Sequence, residues 1–215
     1  TTRFFDNDDG RERFNASVGQ VYFFRDRRVR LKGIDPDLTD RNSAIAAEAN
    51  WLPDDQWRVR ASMLYDTTEN SWDAASVQVG YRPEDGSVFN VGYTLREPPA
   101  SRLNRPVTEQ FNISAYYPIN DNWRVFGAFQ YSLEASEPVE DMFGLEYDDC
   151  CWQVRLLYMR YLDTAGRYIP DLSDPRLERE NALQFQFVLK GMGSFGTRVE
   201  SLMRDMIQGF RSRDY

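Results

Sequence analysis

The sequence has 215 residues, 34 acidic against 26 basic side chains, a net charge of −8 and no histidine. Without histidine these residues can build neither a Ser-His-Asp or Cys-His nucleophile nor a His-ligated zinc site, and a pI near 4.7 argues against nucleic acid as the main partner. Mean hydropathy is −0.63, and no apolar run approaches the roughly 18 residues of a membrane-spanning helix.

The first stretch, TTRFFDNDDG, lacks the apolar centre of a signal peptide, so the chain reads as mature or as cut from something longer. From there the dominant signal is alternation with a period of two, the mark of strands with one apolar and one polar face. About ten such segments follow, at 12–24, 43–52, 56–66, 72–82, 87–96, 108–117, 122–133, 139–148, 151–161 and 181–191. In the third, Trp57, Val59, Ala61, Met63 and Tyr65 oppose Arg58, Arg60, Ser62 and Asp66; in the fourth, Gln78 is polar. In the fifth, Phe89, Val91, Tyr93 and Leu95 oppose Asn90, Gly92, Thr94 and Arg96. In the seventh, Trp123, Val125, Phe129, Tyr131 and Leu133 oppose Arg124, Gln130 and Ser132. In the ninth, Trp152, Val154, Leu156 and Tyr158 oppose Gln153, Arg155 and Leu157; in the last, Leu183, Phe185, Phe187 and Leu189 alternate with Gln184, Gln186, Val188 and Lys190.

Two all-β architectures alternate in this way. A soluble sandwich or ligand-binding barrel turns the apolar face inward, whereas a membrane barrel turns it outward. Three features favour the membrane barrel. The segments run about ten residues, the length that crosses a bilayer when tilted, against five or six for an average soluble strand. Tight turns (PDD, PEDG, PINDN, DDC) alternate with connections that are usually longer, such as RDRRVRLKGIDPDLTDRN and DTAGRYIPDLSDPRLEREN; outer-membrane barrels keep the short turns periplasmic. Trp51, Trp57, Trp123 and Trp152, with Tyr81 and Tyr117, all sit beside the tight turns, where amphipathic rings form an interfacial girdle.

Beyond Gly191 the period changes. Val199, Leu202, Met203, Met206, Ile207 and Phe210 recur at spacings of three and four, one apolar stripe of a helix that ends at Gly209 or soon after. Such a helix can cover a barrel mouth, pack on a partner or lie on a membrane surface. The expected division is barrel strands over 1–193 and a partly helical amphipathic tail over 194–215.

The only two cysteines are adjacent, Cys150 and Cys151. Neighbouring α-carbons sit about 3.8 Å apart, under the roughly 4.4–6.8 Å of an ordinary disulfide, so a bond between them would be strained. Adjacent cysteines followed by an aromatic at the start of a long strand, in YDDCCWQVRLLYMRYL, resemble the C-terminal part of the LptD (OstA, Imp) family of lipopolysaccharide (LPS) assembly proteins. DDGRERFNASVGQVYFF, VTEQFNISAYYPINDNWRVFGAFQY and NALQFQFVLKGMGSFGT carry the same resemblance, which spans essentially the whole chain.

The resemblance implies an antiparallel transmembrane barrel of about 26 strands, of which this chain supplies roughly the last ten. It implies the outer membrane of a Gram-negative bacterium and insertion of LPS into its outer leaflet. Implied partners are the lipoprotein LptE in the lumen, LPS itself, membrane lipid, and periplasmic LPS-bridge proteins reached through an N-terminal domain outside this chain. The strand bearing Leu183, Phe185, Phe187 and Leu189 becomes one side of a lateral seam through which LPS leaves. Cys150 and Cys151 each become disulfide-bonded to a cysteine outside this chain, in an oxidising compartment. Arg58, Arg60, Gln78, Arg124, Gln130, Gln153, Arg155, Gln184 and Gln186 become candidates for facing the lumen, as partner contacts or as merely solvated side chains. No catalytic residue, metal or cofactor is expected. The alternatives are a self-contained ten-stranded outer-membrane barrel (porin-like or a hydrolase) and a soluble ligand-binding barrel.

Overall fold

A computed structural model describes residues 1–25, 41–97, 107–162, 179–196 and 199–211. Twelve strands are present among them: β1 (Thr2–Phe5), β2 (Glu12–Gly19), β3 (Ile45–Trp51), β4 (Trp57–Asp66), β5 (Ser71–Tyr81), β6 (Val88–Arg96), β7 (Thr108–Pro118), β8 (Trp123–Ser132), β9 (Glu137–Asp148), β10 (Trp152–Leu162), β11 (Arg179–Leu189) and β12 (Gly193–Gly196). One helix follows, α1 (Val199–Met206). The strands stand in one sheet in chain order, β1 to β12. No ladder joins β1 to β12 among the described residues, so the sheet keeps two free ends. The interiors of the three longest predicted connections lie outside the described residues.

All ten predicted segments are strands, with two differences. The first ends at Gly19, not at residue 24. There the Ser43 hydroxyl accepts the Val21 N–H at 2.8 Å, and pairing survives only as an isolated bridge between Tyr22 and Asn42. The added strands, β1 and β12, have four residues each, too few for an alternating pattern to register. β12 carries sheet pairing across the boundary drawn at 193/194 and on to Gly196.

The tight turns share a chemistry that explains their composition. Asp54 Oδ1 accepts the N–H groups of Gln56 and Trp57, and Asn120 Oδ1 accepts those of Asn122 and Trp123. Asp85 Oδ1 likewise accepts the Ser87 N–H. An Asp or Asn side chain thus stands in for a backbone acceptor in each turn.

The chain divides into two compact units. The first comprises Thr1–Val79 and Gly92–Gln110, the second Gly80–Val91 and Phe111–Tyr215. In the first unit the strands pair in register through Phe14 with Trp51 and Ala49 with Ala61. Its tight-turn end is tied by an exposed cluster in which Arg13 meets Asp55 at 2.7 Å and Asp6 at 3.1 Å, while Arg11 meets Asp55 at 2.8 Å. The Asp8 N–H, then Arg13, hold the Asp6 carboxyl below its usual range; Arg13, then Arg11, do the same for Asp55.

The second unit contains the whole buried apolar cluster: Val88, Phe126, Met142, Leu157 and Met159 from strands, and Val199, Met203, Ile207 and Phe210 from α1 and the turn after it. The predicted helical stripe is therefore real, and it packs on the strands of its own chain. α1 ends at Met206, three residues before the predicted stop. Gly209, at φ +84°, then turns the chain so that Phe210 reaches the Tyr116 ring, 5.1 Å away between centroids. That positive φ favours glycine at this position, and a side chain there would also have to displace the Arg82 guanidinium.

Candidate functional site

The two faces of the sheet are inverted relative to a soluble protein. Leu183 is 72% exposed and Phe143 59%, and Phe185, Leu156, Tyr158, Val91, Phe89 and Val77 are exposed as well. Arg124, Arg155 and Glu146, by contrast, are each 98% or more buried. Large apolar side chains spread over a sheet face mark a surface made for apolar surroundings, the character of the outward face of a membrane barrel.

The covered polar face of the second unit carries one ordered constellation. Arg124 on β8 lies directly opposite Glu146 on β9, Glu146 opposite Arg155 on β10, and Arg155 opposite Gln186 on β11. The row alternates in charge, and its side chains meet. Arg155 donates from Nε to Glu146 Oε2 at 2.7 Å and from NH1 to Gln186 Oε1 at 3.1 Å. Arg124 reaches the other Glu146 oxygen at 3.5 Å, Asp148 at 3.3 Å and the Asp121 carbonyl at 3.1 Å. The Tyr116 hydroxyl donates to Glu146 at 3.0 Å, and Lys190 pairs with Asp148 at 2.6 Å.

α1 closes over this row. Glu200 meets Arg155 at 3.3 Å, its N–H donates to Gln186 at 3.2 Å, and Arg204 one turn later holds the same carboxylate. Glu200 in the first turn and Arg204 in the last also complement the helix dipole. Buried charges persist only when paired and hydrogen-bonded, and each member here has at least two partners. The arrangement fixes four strands and a helix in one register.

Of the nine predicted lumen-facing residues, the structure brings Arg124, Arg155 and Gln186 together. Gln184 is half-buried and donates to the Met159 sulfur at 3.3 Å, and Gln130, Gln153 and Gln78 are half-buried. Arg58 and Arg60, in the first unit, are exposed. Glu146, Asp148, Lys190, Glu200 and Tyr116 were not anticipated. The signal for the first two was present: they occupy the polar phase of the eighth segment, beside the strands that carry the two arginines.

Cys150 and Cys151 occupy the turn between β9 and β10, at the same end as the ionic row. Both thiols are free and exposed, with their sulfurs 2.8 Å apart. The contact with Cys151 pushes the Cys150 thiol above its ordinary pKa, while Lys190 opposes that rise. The Lys190 N–H donates to the Cys151 carbonyl at 3.0 Å, which ties the cysteine turn to the end of β11. On the outer face, Trp51, Trp57 and Trp123 are exposed and Trp152 is half-buried. Trp123, Tyr147, Trp152 and Phe187 form a continuous aromatic row, with centroids 4.9, 5.0 and 6.2 Å apart across four strands. Along β11, Leu183 and Phe185 are exposed, whereas Phe187 and Leu189 are half-buried, where β12 pairs with residues 186–189. No cluster of three or more potential metal ligands occurs among the described residues.

The family model for LPS transport system D matches residues 1–123. The chain belongs to the LptD family. Similar proteins include the LPS-assembly protein LptD of Nitrosococcus oceani, 35% identical over 98% of this chain, and that of Saccharophagus degradans, 34% identical over all of it. The LptD of Xanthomonas campestris pv. campestris is 30% identical over the same span. The chain covers 26%, 25% and 26% of these relatives, so it corresponds to about a quarter of an LptD protein. Its all-β fold, one antiparallel sheet, is consistent with the barrel domain that the resemblance implies.

Proposed function

We propose that this chain is part of the outer-membrane wall of an LPS translocon, the C-terminal portion of a barrel that inserts LPS into the outer leaflet of a Gram-negative outer membrane. The observation that carries the reading is the inverted sheet, apolar outside and polar inside, in a chain similar to LptD proteins along its whole length. A soluble ligand-binding barrel would bury Leu183, Phe143 and Leu156. A self-contained ten-stranded barrel would pair its terminal strands. The role is transport: the Glu146 and Asp148 carboxylates of the buried row are engaged by Arg124, Arg155 and Lys190, as suits a structural part of a wall.

In this reading the tight turns face the periplasm, and Trp51, Trp57, Trp123 and Trp152 mark the membrane interface. Cys150 and Cys151 each form a disulfide with a cysteine outside this chain; their exposure at a turn supports access by a second domain. LptE sits in the lumen. Because α1 covers the polar face of the second unit, LptE meets the exposed polar face around Arg58 and Arg60 of the first. β11 contributes to the exit seam through the half bearing Leu183 and Phe185.

The test replaces the complete protein in cells with depleted or substituted forms. Depletion should stop newly made LPS from reaching enzymes that act at the cell surface; undiminished arrival would overturn the transport role. Cys150→Ser and Cys151→Ser should each remove one long-range bond on non-reducing electrophoresis and spare the other. Unchanged mobility in both variants would refute the disulfide assignment alone.

A further inference from the structure

The outward face of the second unit is not flush. Ile113, Ala115 and Tyr117 of β7, Gly127 and Phe129 of β8 and Phe143 of β9 line a groove of about 480 Å³. Ala115 contributes one carbon and Gly127 none, so these two positions set its depth. Gly127 lies directly opposite Phe143 in the β8–β9 ladder, and a Cβ there would stand 3.1 Å from the Met142 carbonyl. A glycine inside a strand weakens it and commonly marks close approach by another group.

No charged side chain lines the groove, and Ser114, the one hydroxyl-bearing residue beside it without an aromatic ring, is buried on the other face. Apart from the Tyr117 hydroxyl, a polar ligand would find no side chain to orient it. The rims, Ile113 at 43% and Phe143 at 59% exposure, merge with the apolar surface of Leu145, Leu156 and Tyr158. The groove spans the middle of β7–β9 and the half of those strands nearer the tight turns.

We propose that this groove is a lipid site, holding one acyl chain of a phospholipid from the leaflet on the tight-turn side. The inference rests on the membrane-barrel reading above. Transfer from bilayer to groove gains nothing from the hydrophobic effect, because both environments are hydrocarbon; what it gains is packing. A chain in the groove meets the floor at Ala115 and Gly127 and the flanking Ile113, Phe129 and Phe143, and a groove left unfilled forfeits those dispersion contacts. The site therefore retains a lipid that exchanges more slowly than its neighbours on the flush surface of β10.

The experiment uses the complete protein in phosphatidylethanolamine vesicles doped with the same lipid bearing a diazirine in one acyl chain, with labelled residues mapped by peptide mass spectrometry after irradiation. Labelling at Ile113–Tyr117 and Phe143 should exceed that at Leu156 and Tyr158 by about threefold, the scale of a handful of added dispersion contacts. Ala115→Trp, which fills the groove from its floor, should bring the two regions level, whereas Val77→Trp, on the outer face of the first unit, should leave the difference intact. Equal labelling of both regions in the unsubstituted protein, or an excess that survives Ala115→Trp, overturns the groove and leaves the membrane reading standing. Absence of label from every outward-facing residue overturns both.

Discussion

The two units obey the same strand rule and end in the same Asp- and Asn-built turns, yet among the described residues only the second has a buried apolar interior. In the first, Arg58, Arg60 and Ser62 stand exposed on the polar face, and none of the buried apolar cluster belongs to it. In the second, α1 returns across the polar face, and the side chains beneath it change character: Phe126, Met142, Leu157 and Met159 appear in the polar phase of their strands, and the charges there become an ordered row. A barrel wall flanked by lipid and water needs no core of its own. A core arises where a segment comes back to cover it, and the sequence beneath that segment must be written for burial.

The largest break in this comparison is Glu146→Ala. It leaves the Arg124 and Arg155 guanidinium groups facing each other without their shared carboxylate, and losing one partner of a buried pair costs about 3–5 kcal/mol. Thermal unfolding of the complete protein in detergent should register that loss. Arg58→Ala, in the exposed counterpart, should stay within about 0.5 kcal/mol; equal effects would dissolve the distinction between the units.

A smaller effect is expected at the hinge between wall and cover. Gly196 sits at φ +93°, and a Cβ there would stand 2.2 Å from the Phe185 carbonyl. Gly196→Ala should cost on the order of 1–3 kcal/mol of local strain and raise hydrogen exchange in β12 and α1, while β2–β4 keep their protection. Uniform loosening of both regions would show that α1 is not held through this hinge.

The smallest effect belongs to the exposed cluster of the first unit. Asp6 and Asp55 have depressed folded pKa values, so their contribution is complete above the ordinary carboxylate value near 3.8 and fades as pH falls through the lower folded values. Exchange protection at the β1–β2 and β3–β4 turns, corrected for intrinsic rates, should hold from neutrality down to about pH 5 and decline below about pH 4. A decline centred near neutrality would assign the effect to other groups.

The strands were legible because alternation over ten residues, punctuated by Asp, Asn, Gly and Pro, leaves little choice of element or face. β1 and β12 escaped because four residues carry no period. The helix was legible in type and stripe, but a stripe says which side is apolar and not what covers it. The missing clue was Phe126, Leu157 and Met159, apolar residues out of phase in otherwise clean strands. The ionic row was half legible: its cations stood out as candidates, whereas Glu146 and Asp148 read as ordinary polar positions until register placed Glu146 between the two arginines.

The strict chain-order pairing of β1 to β12 has a kinetic side. Among the described residues every ladder joins strands adjacent in sequence, as in the nine-residue separation between Glu146 and Arg155. Contact order is therefore low along the wall, and each new strand closes a loop no longer than its own connection. Such a sheet can zip strand by strand from any hairpin already formed, with each hairpin templating the next. In the barrel proposed above, the costly closure would fall to a joint whose partner strands are not neighbours in the chain.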